Sequence, residues 1–142
     1  MDRAAATTYL TTEYQELVAD AGLSNQQVSD AYNLALDIAL RQLGVGEADL
    51  PTWDVPDSQV LAYLALAGYY TLRRFVRLLS VRVSVTVAGS LSAARNQAAT
   101  ACKAILDDLK AECAARGYPI DVEQATMGYL NLDFQEPSWV GF

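Results

Sequence analysis

Val60-Leu61-Ala62-Tyr63-Leu64-Ala65-Leu66-Ala67-Gly68-Tyr69-Tyr70-Thr71-Leu72 is the most apolar run in the chain, and Arg73, Arg74 and Arg77 follow it at once. At about 100° per residue its apolar side chains cover nearly the whole circumference of a helix, which is the signature of a helix buried on all sides. The run has 13 residues, fewer than the roughly 18 needed to span a bilayer. Asp54 and Asp57 precede it and Gly68 interrupts it, so a central core helix is expected rather than a membrane span. Pro56 is tolerated in a first turn, and the helix is read from there through Tyr63, Leu64, Ala67, Tyr70 and Leu72 to Leu79.

Outward towards the N-terminus, Thr12 with Gln15 makes a weak capping box before Tyr14, Leu17, Val18 and Ala21, a short first helix ending at Gly22. A second box, Ser24 with Gln27, opens a longer helix with Val28, Ala31, Tyr32, Ala35, Ile38 and Ala39 on one side, stopped by Gly44 and Gly46. Residues 44–56 read as an exposed acidic loop with Trp53 as a hydrophobic pin. Beyond the central helix the period changes to two. Val81, Val83, Val85 and Val87 alternate with Arg82, Ser84 and Thr86 before Ala88-Gly89-Ser90, which predicts a half-buried strand over 81–87. A lone strand leaves its backbone groups unpaired, so Val81, Val83 and Val85 are expected to form an intersubunit strand. A last helix, 91–116, carries Ala98, Cys102, Ile105, Leu109 and Cys113 on its apolar side and Arg95, Lys103, Asp107, Lys110 and Glu112 on the other. After Gly117 and Pro119 no period persists, yet Tyr129, Leu130, Leu132, Phe134, Trp139, Val140 and Phe142 remain. So many apolar groups in a tail point to docking, on its own domain or on a neighbour.

The expected architecture is therefore mainly α: a small helical bundle around a central apolar helix, with one short β element (81–87) and an extended C-terminal arm. The helical domain takes 1–118 and the arm 119–142. A length of 142 residues suits one domain, and 52% hydrophobic residues are ample for its core. There is no His, which removes the commonest general base, the His-containing triads and every His-ligated metal site. Cys102 and Cys113 are 11 apart on one helix, roughly 16 Å along its axis, so they cannot bond to each other and read as small core residues in a reducing compartment. No phosphate-binding glycine motif and no GxSxG elbow occurs. Asp107 and Asp108 point about 100° apart on a helix and read as solvated, and the only lysines, Lys103 and Lys110, sit at surface positions. No enzyme, cofactor or metal site is expected. The first eight residues lack the apolar run of a secretory signal, so the chain is expected to stay where it is made.

Charge is segregated. Residues 1–72 hold 10 acidic and 2 basic side chains, 73–103 none and 6, and 104–142 7 and 2, for a net charge of -7. The balance is not that of a free nucleic-acid binder. The basic block, Arg73, Arg74, Arg77, Arg82, Arg95 and Lys103, either pairs with the acidic ends of neighbouring elements or presents a positive surface to phosphate or an acidic partner.

The order of these parts resembles the head-to-tail connector (portal adaptor) proteins of tailed double-stranded DNA bacteriophages. The likeness covers residues 11–118. It is carried by Leu17-Val18-Ala19-Asp20-Ala21-Gly22-Leu23-Ser24 in the N-terminal helix pair, by the Leu61 to Leu72 portion of the central run, by Val81-Arg82-Val83-Ser84-Val85 leading to Gly89-Ser90-Leu91-Ser92, and by the closing helix ending Ala114-Ala115-Arg116-Gly117-Tyr118. The resemblance implies a structural virion protein, made in the host cytoplasm and placed at the head–tail interface. Such a subunit forms a homo-oligomeric, twelvefold ring between the portal protein and a tail or stopper protein, extends the DNA channel through which double-stranded DNA passes, and needs no membrane. It also implies an arm that holds the portal, a role for Phe134, Trp139 and Phe142. Arg73, Arg74, Arg77, Arg82 and Arg95 become a basic surface facing the DNA channel or a partner. The alternative is a soluble helical interaction or regulatory module that binds a protein or DNA through the Arg73 to Arg82 block.

Overall fold

The computed structural model describes residues 1–85 and 90–120, with side chains described for 1–79 and 96–120. The chain is mainly helical: α1 (Arg3–Glu13), α2 (Gln15–Ala21), α3 (Asn25–Gln42), α4 (Val60–Val85) and α5 (Ser90–Ala115), with short 3-10 turns at Glu47–Asp49 and Asp57–Gln59. As the all-round apolar pattern requires, α4 is central and packs along both α3 and α5, while α2 lies on α5 and α1 on α3. Two 26-residue helices separated by four residues can pack along each other only as antiparallel neighbours.

Local chemistry explains each start and stop. Ser24 Oγ accepts from the Gln27 N–H and Gln27 Oε1 accepts from the Ser24 N–H, both at 3.1 Å, so the capping box read from the sequence is formed at the head of α3. Gly22 closes α2 at φ 67°, a left-handed conformation that only glycine adopts freely. The Thr12 box is not formed: α2 begins after Tyr14 with no side-chain cap, because a helix already occupies the preceding residues. That helix, α1, is capped by Asp2, whose Oδ1 accepts from the Ala5 N–H at 2.8 Å. Only Ala6 and Leu10 of α1 are buried, and Thr7, Thr8 and Thr11 turn their hydroxyls back onto carbonyls four residues earlier. So sparse an apolar stripe leaves little period to read.

The strand expected over 81–87 is not formed where the structure describes it. The α4 helix runs on through Val85, and residues 86 and 87 lie outside the described residues. The physical reason is backbone pairing. Continuing a helix satisfies each new N–H within the segment, and a valine costs only about 0.5 kcal/mol of helix propensity, whereas a lone strand would leave its ladder groups unpaired at about 1 kcal/mol or more each. No strand exists among the described residues to supply a partner. Val81, Val83 and Val85, read from the sequence as an intersubunit strand, thus extend α4 in this structure.

The core is a single cluster in which Leu10, Leu36, Leu40, Tyr63, Leu66, Leu72, Phe75 and Leu79 are fully enclosed. Tyr32 joins three helices, donating to the Leu10 carbonyl at 3.3 Å and meeting Phe75 at a ring separation of 6.1 Å. In the 44–56 loop Trp53 is 39% exposed, so it is not the pin; Leu50 and Val55 are buried instead. Val55 is drawn in by reciprocal bonds with Met1, its N–H donating to the Met1 carbonyl at 2.8 Å and its carbonyl accepting from the Met1 amino group at 2.7 Å. The apolar cluster extends to Ile120, the last described residue.

Candidate functional site

One turn of α4 carries Arg73, Arg74 and Arg77, where the core face of the helix meets solvent. Phe75, Leu72 and Leu79 point into the core, which leaves Arg74 and Arg77 exposed and Arg73 half-buried. Arg73 lies near Tyr69; its charge holds the phenol pKa down, but burial outweighs it and the net shift is upward. Lys103 adds to the same level of the molecule. The place where a side chain would grow from Gly68 is 3.3 Å from Leu109 Cδ1. Six residues further along α4 is Arg74, and six residues back along antiparallel α5 is Lys103, which is exposed.

Elsewhere, charges within reach of each other pair. Arg3 bonds Asp37 at 2.8 Å and the Asn33 carbonyl at 3.0 Å, Arg41 bonds Glu47 at 2.8 Å, and Arg116 bonds Glu112 at 3.0 Å. The Arg41 guanidinium holds the Glu47 carboxyl below its usual range. Among the described residues Arg73 and Arg74 form no such ion pair. The backbone of Arg82 and Arg95 is helical, with side chains outside those described, and Phe134, Trp139 and Phe142 lie outside the described residues.

The acidic counterpart occupies the N-terminal helices. From Ala4 to Leu40 no basic residue occurs, and Glu13, Glu16, Asp20 and Asp30 are all exposed. Tyr9, 38% exposed, lies near Glu13, its phenol pKa raised by partial burial first and then by Glu13 and Glu112. Glu16 and Asp20, four apart on α2, share one face.

A second feature escaped sequence reasoning: a cavity of about 350 Å³ between α1, α2 and α3, lined by Thr7, Thr11, Gln15, Asn25, Ser29 and Asn33 around Val18, Val28 and Tyr32. Its signal was present as two uncharged polar stripes at spacings of four, 7-11-15 and 25-29-33, but only the fold shows that they face one another.

Among the described residues no group of three or more His, Cys, Asp or Glu side chains is placed to hold a metal ion, and Asp107 and Asp108 are both exposed. Cys102 and Cys113 are fully enclosed, and burial pushes each thiol up to about 11, far from a reactive thiolate. No helix is long and apolar enough to cross a membrane among the described residues. No protein-family model, curated protein or solved structure matches the chain.

Proposed function

We propose that this chain is a structural subunit of a tailed-phage head-to-tail connector, working by assembly and not by turnover. The observation that carries the reading is the exposed basic turn of α4, set in a chain of net charge -7 with no acidic residue between Arg73 and Lys103. A local cationic surface on an otherwise acidic body suits a component that meets an acidic protein face and lets a polyanion pass without gripping it. The order of helices agrees with the resemblance in the N-terminal helix pair, the central helix and the closing helix; the β element is not part of the agreement. In this reading the subunit forms a ring, twelvefold by analogy, between portal and tail or stopper protein. Its aromatic C-terminal residues Phe134, Trp139 and Phe142 engage the portal. The test is mass spectrometry of purified particles: a few copies per particle in fixed ratio to the capsid subunit, retained after a salt wash, support it, and absence from every particle fraction refutes it.

The second reading, a soluble module binding a protein or DNA through the same basic block, is favoured by Arg73 and Arg74 forming no ion pair among the described residues. It predicts DNA affinity that falls steeply with salt for the isolated protein.

A further inference from the structure

We infer that the basic turn of α4 is filled by the acidic α1–α2 face of a second copy of this chain: Arg73, Arg74 and Lys103 of one protomer against Glu13, Glu16 and Asp20 of the next. The inference rests on the assembly reading above and names the surfaces that would join the copies.

Three observations lead there. First, the two surfaces are complementary in charge and come from different segments of the sequence. Every charged residue from Arg73 to Lys103 is basic, and every charged residue from Ala4 to Leu40 is acidic. Second, Glu13, Glu16, Asp20, Arg74 and Lys103 are exposed and Arg73 is half-buried, and among the described residues no ion pair joins any of these six to a partner. Third, the acidic face carries an exposed aromatic. Tyr9 is 38% exposed beside Glu13, and tyrosine and arginine are the side chains that anchor interfaces. A duplex nucleic acid would answer the arginines but would be repelled by the acidic face and the net charge; a second copy answers both faces at once. Because the donor and acceptor surfaces are different parts of one chain, the contact repeats from copy to copy and generates a closed ring or an open filament.

The experiment is sedimentation of the full chain at about 20 mM salt, where the screening length is roughly 20 Å, and again at high salt. The wild type is expected to associate at low salt and to dissociate as salt rises. Two charge-reversed variants, R74E/K103E and E16R/D20R, alter exposed positions, and far-UV circular dichroism checks that each stays helical. Each alone should associate at least about tenfold more weakly, since like charges are then juxtaposed. An equimolar mixture should recover association, because each variant supplies the surface that its partner now fits. A wild type monomeric at both salts, variants that associate like the wild type, or a mixture that stays apart would each overturn the pairing. So would a duplex DNA fragment that the wild type binds and R74E/K103E does not, with no self-association. A chain that fails here yet is present in particles in fixed ratio leaves the connector reading standing, and one that associates but is absent from particles does the reverse.

Discussion

Replacing Gly68 with alanine sets helix propensity against packing, and the geometry says which wins. On propensity alone the change should stabilise α4 by about 1 kcal/mol. The new Cβ, however, would stand 2.5 Å from Tyr14 Oη, 3.6 Å from Tyr14 Cζ and 3.3 Å from Leu109 Cδ1. To reach ordinary contact the phenol must retreat by about 0.9 Å, and Tyr14 is buried with Leu109 on the other side of the new methyl; overpacking of this kind costs typically 1–3 kcal/mol. The expected net effect of Gly68→Ala is a loss of about 1 kcal/mol, read as a lower urea midpoint. Tyr14→Phe removes the colliding atom, leaving Cζ at ordinary contact distance. In that background Gly68→Ala should be neutral or stabilising, for a coupling energy of about 2 kcal/mol across the double-mutant cycle. Stabilisation by Gly68→Ala in the wild-type background, or the same change in both backgrounds, would refute the reasoning that the Tyr14 phenol docks at the bare backbone of α4.

Other perturbations follow from the same geometry. Thr71 is fully enclosed and its hydroxyl has no hydrogen-bond partner among the described residues, so Thr71→Val should raise stability by about 1 kcal/mol; a lower urea midpoint would show the hydroxyl to be bonded. Ser24→Ala loses the side-chain bond of the α3 capping box and should cost about 1 kcal/mol, visible as a lower thermal midpoint, while an unchanged midpoint would make the box dispensable. Burial raises the Cys102 and Cys113 thiols from 9.0 to about 11. Groups whose folded pKa is raised contribute stability that is intact below the unfolded value and lost above it. The thiols' contribution to unfolding free energy should accordingly be constant below pH 9 and be lost between pH 9 and about 11, and a chain as stable at pH 11 as at pH 9 would contradict this. Native thiols should also resist alkylation near neutral pH until the protein is unfolded, and rapid labelling of the folded protein would mean that the cysteines are accessible.

Much of the helical framework was legible from residue order. The run Val60 to Leu72 announced the central helix because apolar side chains on every side leave no face for water, and Ser24 with Gln27 announced the head of α3 because that cap is completed within four residues. The cysteine spacing likewise identified two core positions. The N-terminal helix was obscured because α1 buries only Ala6 and Leu10, and its threonines satisfy themselves locally. Trp53 misled because hydrophobicity alone does not say which loop side chain is drawn inward; the bonds between Met1 and Val55 made Val55 that residue.

The alternation at Val81, Val83 and Val85 marks the boundary most clearly. Periodicity reports how side chains would sort if a strand formed, while strand formation needs a partner elsewhere in the chain, and helix continuation needs none. By itself, then, the sequence determined the helical class, the central element and the separation of charge, all of which depend on composition and on spacings within a few residues. Only the tertiary structure decided that α4 runs through the valines, that Tyr14 docks at Gly68, and that among the described residues Arg73 and Arg74 form no ion pair. Those outcomes depend on which segments meet, and that is settled by packing and backbone pairing between residues distant in sequence.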